Sequence, residues 1–184
     1  MYNGIGNIES VTTTNASGVA STQAFTYGDG AHPDRLTRVG TTDITYDSTG
    51  CPTAYGVRTM SWISGRLNTV FIGTPTTGTN KYIYSYNAKG QRVGMTHSYL
   101  PPKGQSSSGA ITFDVLQSSS KQYYYDNFGR LVAERKTENY KNRGTVNTEI
   151  TYLYDESSMV GFMYSANGST PQVFYYQRKN NEWS

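Results

Sequence analysis

The sequence predicts an all-β fold, an array of antiparallel β-hairpins forming a curved or spiralling sheet. Three observations carry that reading. Leu, Ile, Val and Phe supply only 31 of the 184 residues, whereas Tyr alone supplies 17. Gly, Ser, Thr and Asn together supply 75; β-branched and aromatic residues suit strands, and Gly and Asn suit turns. A short pattern, aromatic-x-Tyr-Asp/Asn-x-x-Gly, also returns along the chain. This composition excludes a helical bundle, a coiled coil and a doubly wound nucleotide-binding domain. Low aliphatic content would suggest disorder only beside a high net charge, and the charge here is +3.

The pattern starts at Tyr2-Asn3-Gly4-Ile5-Gly6, a copy without its incoming strand. Phe25-Thr26-Tyr27-Gly28-Asp29 follows and leads through a longer turn to Asp34-Arg35-Leu36. Tyr46-Asp47-Ser48-Thr49-Gly50 is a regular copy. Met60-Ser61-Trp62-Ile63-Ser64-Gly65-Arg66-Leu67 is one residue shorter and puts Trp at the Tyr position. Three fuller copies come next: Tyr84-Ser85-Tyr86-Asn87-Ala88-Lys89-Gly90, Tyr123-Tyr124-Tyr125-Asp126-Asn127-Phe128-Gly129 and Tyr152-Leu153-Tyr154-Asp155-Glu156-Ser157-Ser158. Phe162-Met163-Tyr164-Ser165-Ala166-Asn167-Gly168 closes the series. The anchor aromatics are therefore Tyr2, Tyr27, Tyr46, Trp62, Tyr86, Tyr125, Tyr154 and Tyr164.

Each copy reads as one hairpin. Residues two apart share a strand face, so the two rings of aromatic-x-Tyr lie on the same side. The Asp or Asn that follows accepts a backbone N–H two residues on and starts a turn. Gly three residues later takes the left-handed conformation that closes a type I turn with a bulge. Tyr46, Asp47, Gly50, Tyr84, Tyr86, Asn87, Gly90, Tyr123, Tyr125, Asp126, Gly129, Tyr152, Tyr154 and Asp155 are the ladder and turn residues on this reading. A lone hairpin is marginal in water, so successive hairpins pair side by side.

Residues 1–184 thus read as one array with two loop insertions. Residues 101–120, Pro- and Ser-rich, form the first, with a short strand expected at Ile111 to Leu116. Residues 137–148, which are polar, form the second. One cysteine, Cys51, excludes an internal disulfide and a multi-Cys zinc site. Acidic and basic residues are interspersed, which argues against a nucleic-acid face. No apolar run reaches the ~18 residues a membrane helix needs, and the N-terminal stretch carries no signal-peptide pattern.

At these residues the chain resembles the bacterial YD-repeat, or Rhs, family. Tyr123-Tyr124-Tyr125-Asp126-Asn127-Phe128-Gly129-Arg130-Leu131 matches its Tyr-x-Tyr-Asp-x-x-Gly-Arg-Leu motif throughout. The likeness runs from Tyr2 to about Tyr176, with Ser158 in place of a turn Gly and Cys51 where the family often has Asn or Arg. The resemblance implies long hairpins that spiral into a hollow shell enclosing a C-terminal toxic domain. A core region with a self-cleaving aspartyl site normally follows the last repeats, and the chain ends roughly where that core should begin. The Asp-Pro-x-Gly motifs of such a site are absent. The implied partners are further repeats, the Rhs core and a toxin cargo, in a secreted or wall-associated protein outside the cell.

No catalytic constellation is visible. His32 and His97 are far apart in sequence, and a catalytic or metal-bound His needs partners within bonding distance. His32 reads as a loop residue and His97 as a sheet-surface residue. Cys51, after a turn Gly and before Pro52, reads as a small semi-buried side chain. Asp47, Asn87, Asp126 and Asp155 hold turn positions and are not read as a calcium site. No cofactor is expected. The expected role is non-catalytic and structural, with a glycan- or surface-binding module as the alternative. Trp62 and Tyr124 are its candidate contacts, because exposed rings stack on sugars.

Overall fold

The computed structural model describes residues 1–74, 78–100, 116–156 and 158–176, with the backbone of 178–179 and 182–183. The expected fold class holds: the regular structure is all β, and the strands pair antiparallel. The chain divides into two compact units, Met1–Ile72 and Gly73–Ser184.

The first unit carries β1 (Ser10–Thr14), β2 (Ala20–Thr26), β3 (Arg38–Val39), β4 (Thr42–Tyr46), β5 (Pro52–Tyr55), β6 (Arg58–Ile63) and β7 (Arg66–Thr74). From β2 to β7, each strand pairs antiparallel with the one before it. The second unit carries β8 (Gly78–Tyr86), β9 (Arg92–Leu100), β10 (Leu116–Tyr125), β11 (Leu131–Tyr140), β12 (Gly144–Asp155), β13 (Ser158–Ala166) and β14 (Gln172–Tyr175). These again pair in sequence order, each with its predecessor. A short hairpin, β15 (Arg178–Lys179) and β16 (Glu182–Trp183), follows.

The alternation of side chains sorts each sheet into two unlike faces. In the second unit, Ile83, Thr96, Ser120, Thr137 and Asn147 are successive cross-strand partners, and this row is mostly polar. The opposite face holds the rows Tyr123, Glu134, Ile150, Tyr164 and Tyr152, Phe162, Phe174. The Phe162 and Phe174 rings stack at 5.0 Å, and Phe162 meets Tyr176 at 6.3 Å. Such pairs contribute roughly 0.2–1 kcal/mol each, and neighbouring rings shield one another. Among the described residues Val70 is the one buried apolar side chain, and none is fully buried. The apolar surface therefore forms ladders along sheets, as the scarcity of aliphatic residues implies.

Several expectations are corrected. Residues 116–120 are not loop: they open β10, and Ser119 is buried opposite His97 and Glu138. Serine is small enough to sit beneath those longer neighbours, so the Ser run forms strand. Residues 101–115, with most of the strand expected at Ile111 to Leu116, lie outside the described residues. The second insertion is mostly strand too, since β11 runs through Tyr140 and β12 starts at Gly144. Its polar side chains satisfy one another: Thr137 Oγ1 donates to Asn147 Oδ1 (2.9 Å) and Thr145 Oγ1 to Asn139 Oδ1 (2.8 Å). His97 is not at the surface. It is 8% exposed, stacked on Tyr82 at 4.8 Å, with Nε2 2.8 Å from Asn80 Oδ1. Burial holds its pKa below the ordinary histidine value.

Candidate functional site

The distinctive chemistry lies where each Tyr-bearing strand turns into the next strand. At Asp47, Asn87 and Asp126 the same ring of hydrogen bonds forms. The first residue's N–H donates to the carbonyl of the fifth: Asp47 to Cys51 (2.9 Å), Asn87 to Gln91 (3.0 Å), Asp126 to Arg130 (3.0 Å). The turn Gly donates back to the first residue's carbonyl at 2.9–3.1 Å. The first residue's Oδ1 then accepts the fifth residue's N–H, at 3.0 Å from Cys51, 3.0 Å from Gln91 and 2.9 Å from Arg130. Gly50, Gly90 and Gly129 have φ of 85°, 82° and 86°, a conformation that a side chain makes costly. Asn3 to Asn7 repeats the arrangement, with Gly6 at 89°. The shorter Trp62 copy turns through Ser64 and Gly65 at φ 49° and 71°, with Ile63 paired to Arg66.

Five of the anchor aromatics tie their hairpin to the preceding segment. Tyr27 Oη donates to the Ile8 carbonyl (3.1 Å), and Tyr46 Oη to that of Leu36 (2.5 Å). Trp62 Nε1 donates to the Pro52 carbonyl (2.6 Å). Tyr125 and Tyr154 donate to the Arg92 and Leu131 carbonyls, each at 2.9 Å. Ile8, Pro52, Arg92 and Leu131 all stand two residues beyond a turn Gly. Four of the five rings thus reach a fixed address on the preceding hairpin.

A second tie comes from the residue directly after the turn Gly. Asn7 Nδ2 donates to the Pro33 carbonyl (3.2 Å) and Gln91 Nε2 to that of Gly129 (3.1 Å). The Arg130 guanidinium donates to the Glu156 carbonyl, pairs with Asp126 (2.7 Å) and lies 5.0 Å from the Tyr154 ring centroid. Its hydrogen bond to Asp126 holds that carboxyl below the usual carboxylate range. At Asp47 the Thr49 hydroxyl is the main cause of a lowered carboxyl, with the Cys51 N–H second. Cys51 occupies the tying position but has no long donor arm; it is a half-buried free thiol, as expected.

Two expected assignments fail. Asp155 does not open a turn of this kind; it pairs with Ser158 at the strand ends, and Glu156 takes φ 41°. Without Gly at position 158 the longer turn has no residue suited to its left-handed closing position. Tyr164 is no anchor either. It sits within β13, paired with Ile150 and Gln172. Asn167 and Gly168, φ 49° and 73°, then turn the chain toward β14.

Tyr84, Tyr123 and Tyr152 lie on the aromatic face, opposite Met95, Glu134 and Phe162, and Tyr86 pairs with Arg92 at a register shift. Tyr152 Oη donates to Glu134 Oε1 (2.5 Å), with Lys121 Nζ 3.8 Å from Glu134 Oε2. Burial, then Glu134, pushes the Tyr152 hydroxyl far above its ordinary value. Lys136 and Glu138 form a second pair at 2.7 Å. Trp62 uses its indole N–H as a tie and is half-buried. Tyr124 is 38% exposed on the polar face; its hydroxyl donates to Gln122, and Arg135 stands 5.4 Å from its ring. His32 is a loop residue with Nδ1 3.1 Å from Asp29 Oδ2. Among the described residues no group of three or more His, Cys, Asp or Glu is placed to hold a metal.

Known protein-family models and curated proteins give no match to this chain.

Two structural positions escaped the sequence reading. Asn15-Ala16-Ser17-Gly18 makes the same turn, with Asn15 Oδ1 accepting from Val19 (2.9 Å) and Gly18 at φ 79°. The Asn-x-x-Gly spacing was its signal, hidden because Thr14 stands where Tyr is expected. Tyr176, not Tyr164, is the ring beyond β14 that reaches back, with Oη 3.6 Å from Met159 Sδ.

Proposed function

We propose that the chain is a non-catalytic structural segment, a stretch of YD-repeat-type wall in a β-shell. That shell encapsulates or presents a C-terminal toxin domain in a secreted or cell-surface bacterial protein. The supporting observation is the recurring tie from an anchor ring to the carbonyl two residues past the preceding turn Gly. A tie addressed by position serves any number of hairpins, so it suits a wall that extends by repetition. The wall acts by exclusion: a continuous ladder keeps solvent and proteases from whatever lies behind it.

The gene read beyond Ser184 provides the test. The expected result is a further chain that survives trypsin when joined to these hairpins and is digested when expressed by itself. A stop codon after Ser184, or equal digestion of both forms, overturns the container reading.

A further inference from the structure

Four of the aromatic-anchored turns agree on the residue two places beyond the turn Gly. It is Ile8, Pro52, Leu67 and Leu131, all apolar, and Leu36 presents the equivalent carbonyl in the longer turn. The β8–β9 hairpin departs from this rule with Arg92. Its carbonyl still serves as the address for Tyr125. Only the side chain breaks the pattern, so the tie does not explain the charge. The Arg92 guanidinium gains a contact with the Tyr84 ring in return, but among the described residues no carboxylate balances its charge.

The Arg92 side chain is exposed and lies 4.5 Å from the Tyr84 ring centroid. Among the described residues no carboxylate lies within ion-pairing distance of it, whereas Arg35, Arg38, Arg130 and Arg135 each have one. Beside it is an open hollow of about 320 Å³, lined by Tyr86, Arg92, Tyr123, Tyr125 and Leu131. Small-ligand sites begin at about this size. A tyrosine hydroxyl such as that of Tyr123 is a neutral hydrogen-bond donor at physiological pH, and burial only moves it further in that direction.

We propose that this hollow binds an acidic sugar, a uronic-acid unit of a polysaccharide, with its carboxylate on Arg92 and its ring against the tyrosines. Guanidinium pairs with carboxylate through two parallel hydrogen bonds. Tyrosine offers a flat apolar surface with a polar tip, which matches the C–H face and hydroxyl rim of a pyranose. An acidic peptide fits less well. Extended peptides dock by adding to a free strand edge, and β9 and β10 are interior strands, each hydrogen-bonded on both sides. The site is independent of the container reading and of Trp62 and Tyr124.

The test is calorimetric titration of the full chain with a tetragalacturonate, its methyl-esterified counterpart and a Glu-rich peptide. The acid form is expected to bind at least tenfold more tightly than the ester or the peptide, and more weakly as salt rises. Arg92→Leu restores the residue type those four turns use, so it should fold while losing tenfold or more in affinity; Arg92→Lys should retain part of it. Should Arg92→Leu fail to fold, Arg92→Gln carries the same comparison. No binding of the tetragalacturonate, equal binding of the ester, tighter binding of the peptide, or undiminished binding by the Arg92 variant overturns the proposal.

Discussion

The turns at Asn15 and Asp126 are nearly the same object locally. Each has a side-chain oxygen accepting the N–H four residues on, and each closes on a glycine, Gly18 at φ 79° and Gly129 at 86°. Their surroundings differ. The β1 and β2 strands beside Asn15 are almost wholly exposed, whereas β10 and β11 beside Asp126 are mostly half-buried. Thr14 precedes the first turn and Tyr125 the second, and only Tyr125 reaches another hairpin. Turn shape and array assembly are thus separate properties. Asp or Asn with Gly makes the turn, and the ring before it and the donor after it join hairpins together.

The largest expected break in this comparison comes from the ring. Tyr125→Ala should cost about 2–3 kcal/mol, below the full range for deleting a buried aromatic because this ring is half-buried. Thr14→Ala should change stability by less than about 0.5 kcal/mol. Urea unfolding of both variants measures this, and equal midpoints would show that the ring does no joining. Glycine substitution comes next. Gly129→Ala and Gly18→Ala each face about 1–2 kcal/mol of left-handed strain. The Gly129 change should cost more, because its new Cβ would meet Gln91 Nε2 at 3.0 Å, whereas Gly18 has open space. Equal losses would mean that the Gln91 tie to Gly129 contributes nothing.

A smaller effect isolates the hydrogen bond. Tyr125→Phe keeps the ring and removes the donor to the Arg92 carbonyl, for an expected loss of about 1 kcal/mol. The smallest effect is in acid. The hydrogen bond from Arg130 holds the folded-state pKa of the Asp126 carboxyl below the ordinary aspartate value. Its contribution is therefore present above that value and is lost as pH falls through the lowered one. Asn15 does not titrate. Unfolding midpoints followed from pH 5 to pH 2 should fall less steeply in Asp126→Asn than in the parent chain; identical slopes would remove the carboxylate from the account.

Much of this was legible because it is local. The turns at Asp47, Asn87 and Asp126 could be read from spacing, since their hydrogen bonds close within four residues of the acceptor side chain. Asn15 was missed for want of a neighbouring ring, although its turn needs none. Asp155 was misread from a neighbouring ring, although its turn lacks the required Gly. The Ser118-Ser119-Ser120 run was misread because polar composition suggests loop, while β10 needs a small residue at 119 beneath its neighbours.

By itself the sequence determined the all-β class, the hairpin unit and the alternation that puts rings on one face. Each follows from backbone preference and from contacts a few residues apart. Only the tertiary structure decided what the rings do with their hydroxyls, which residue after each Gly reaches the next turn, and that His97 is buried. Tyr125 meets the Arg92 carbonyl across 33 residues, and Tyr154 meets that of Leu131 across 23. Separations of that size carry no periodic signal in the chain, because the lengths of the intervening strands and loops vary while the spatial address stays constant.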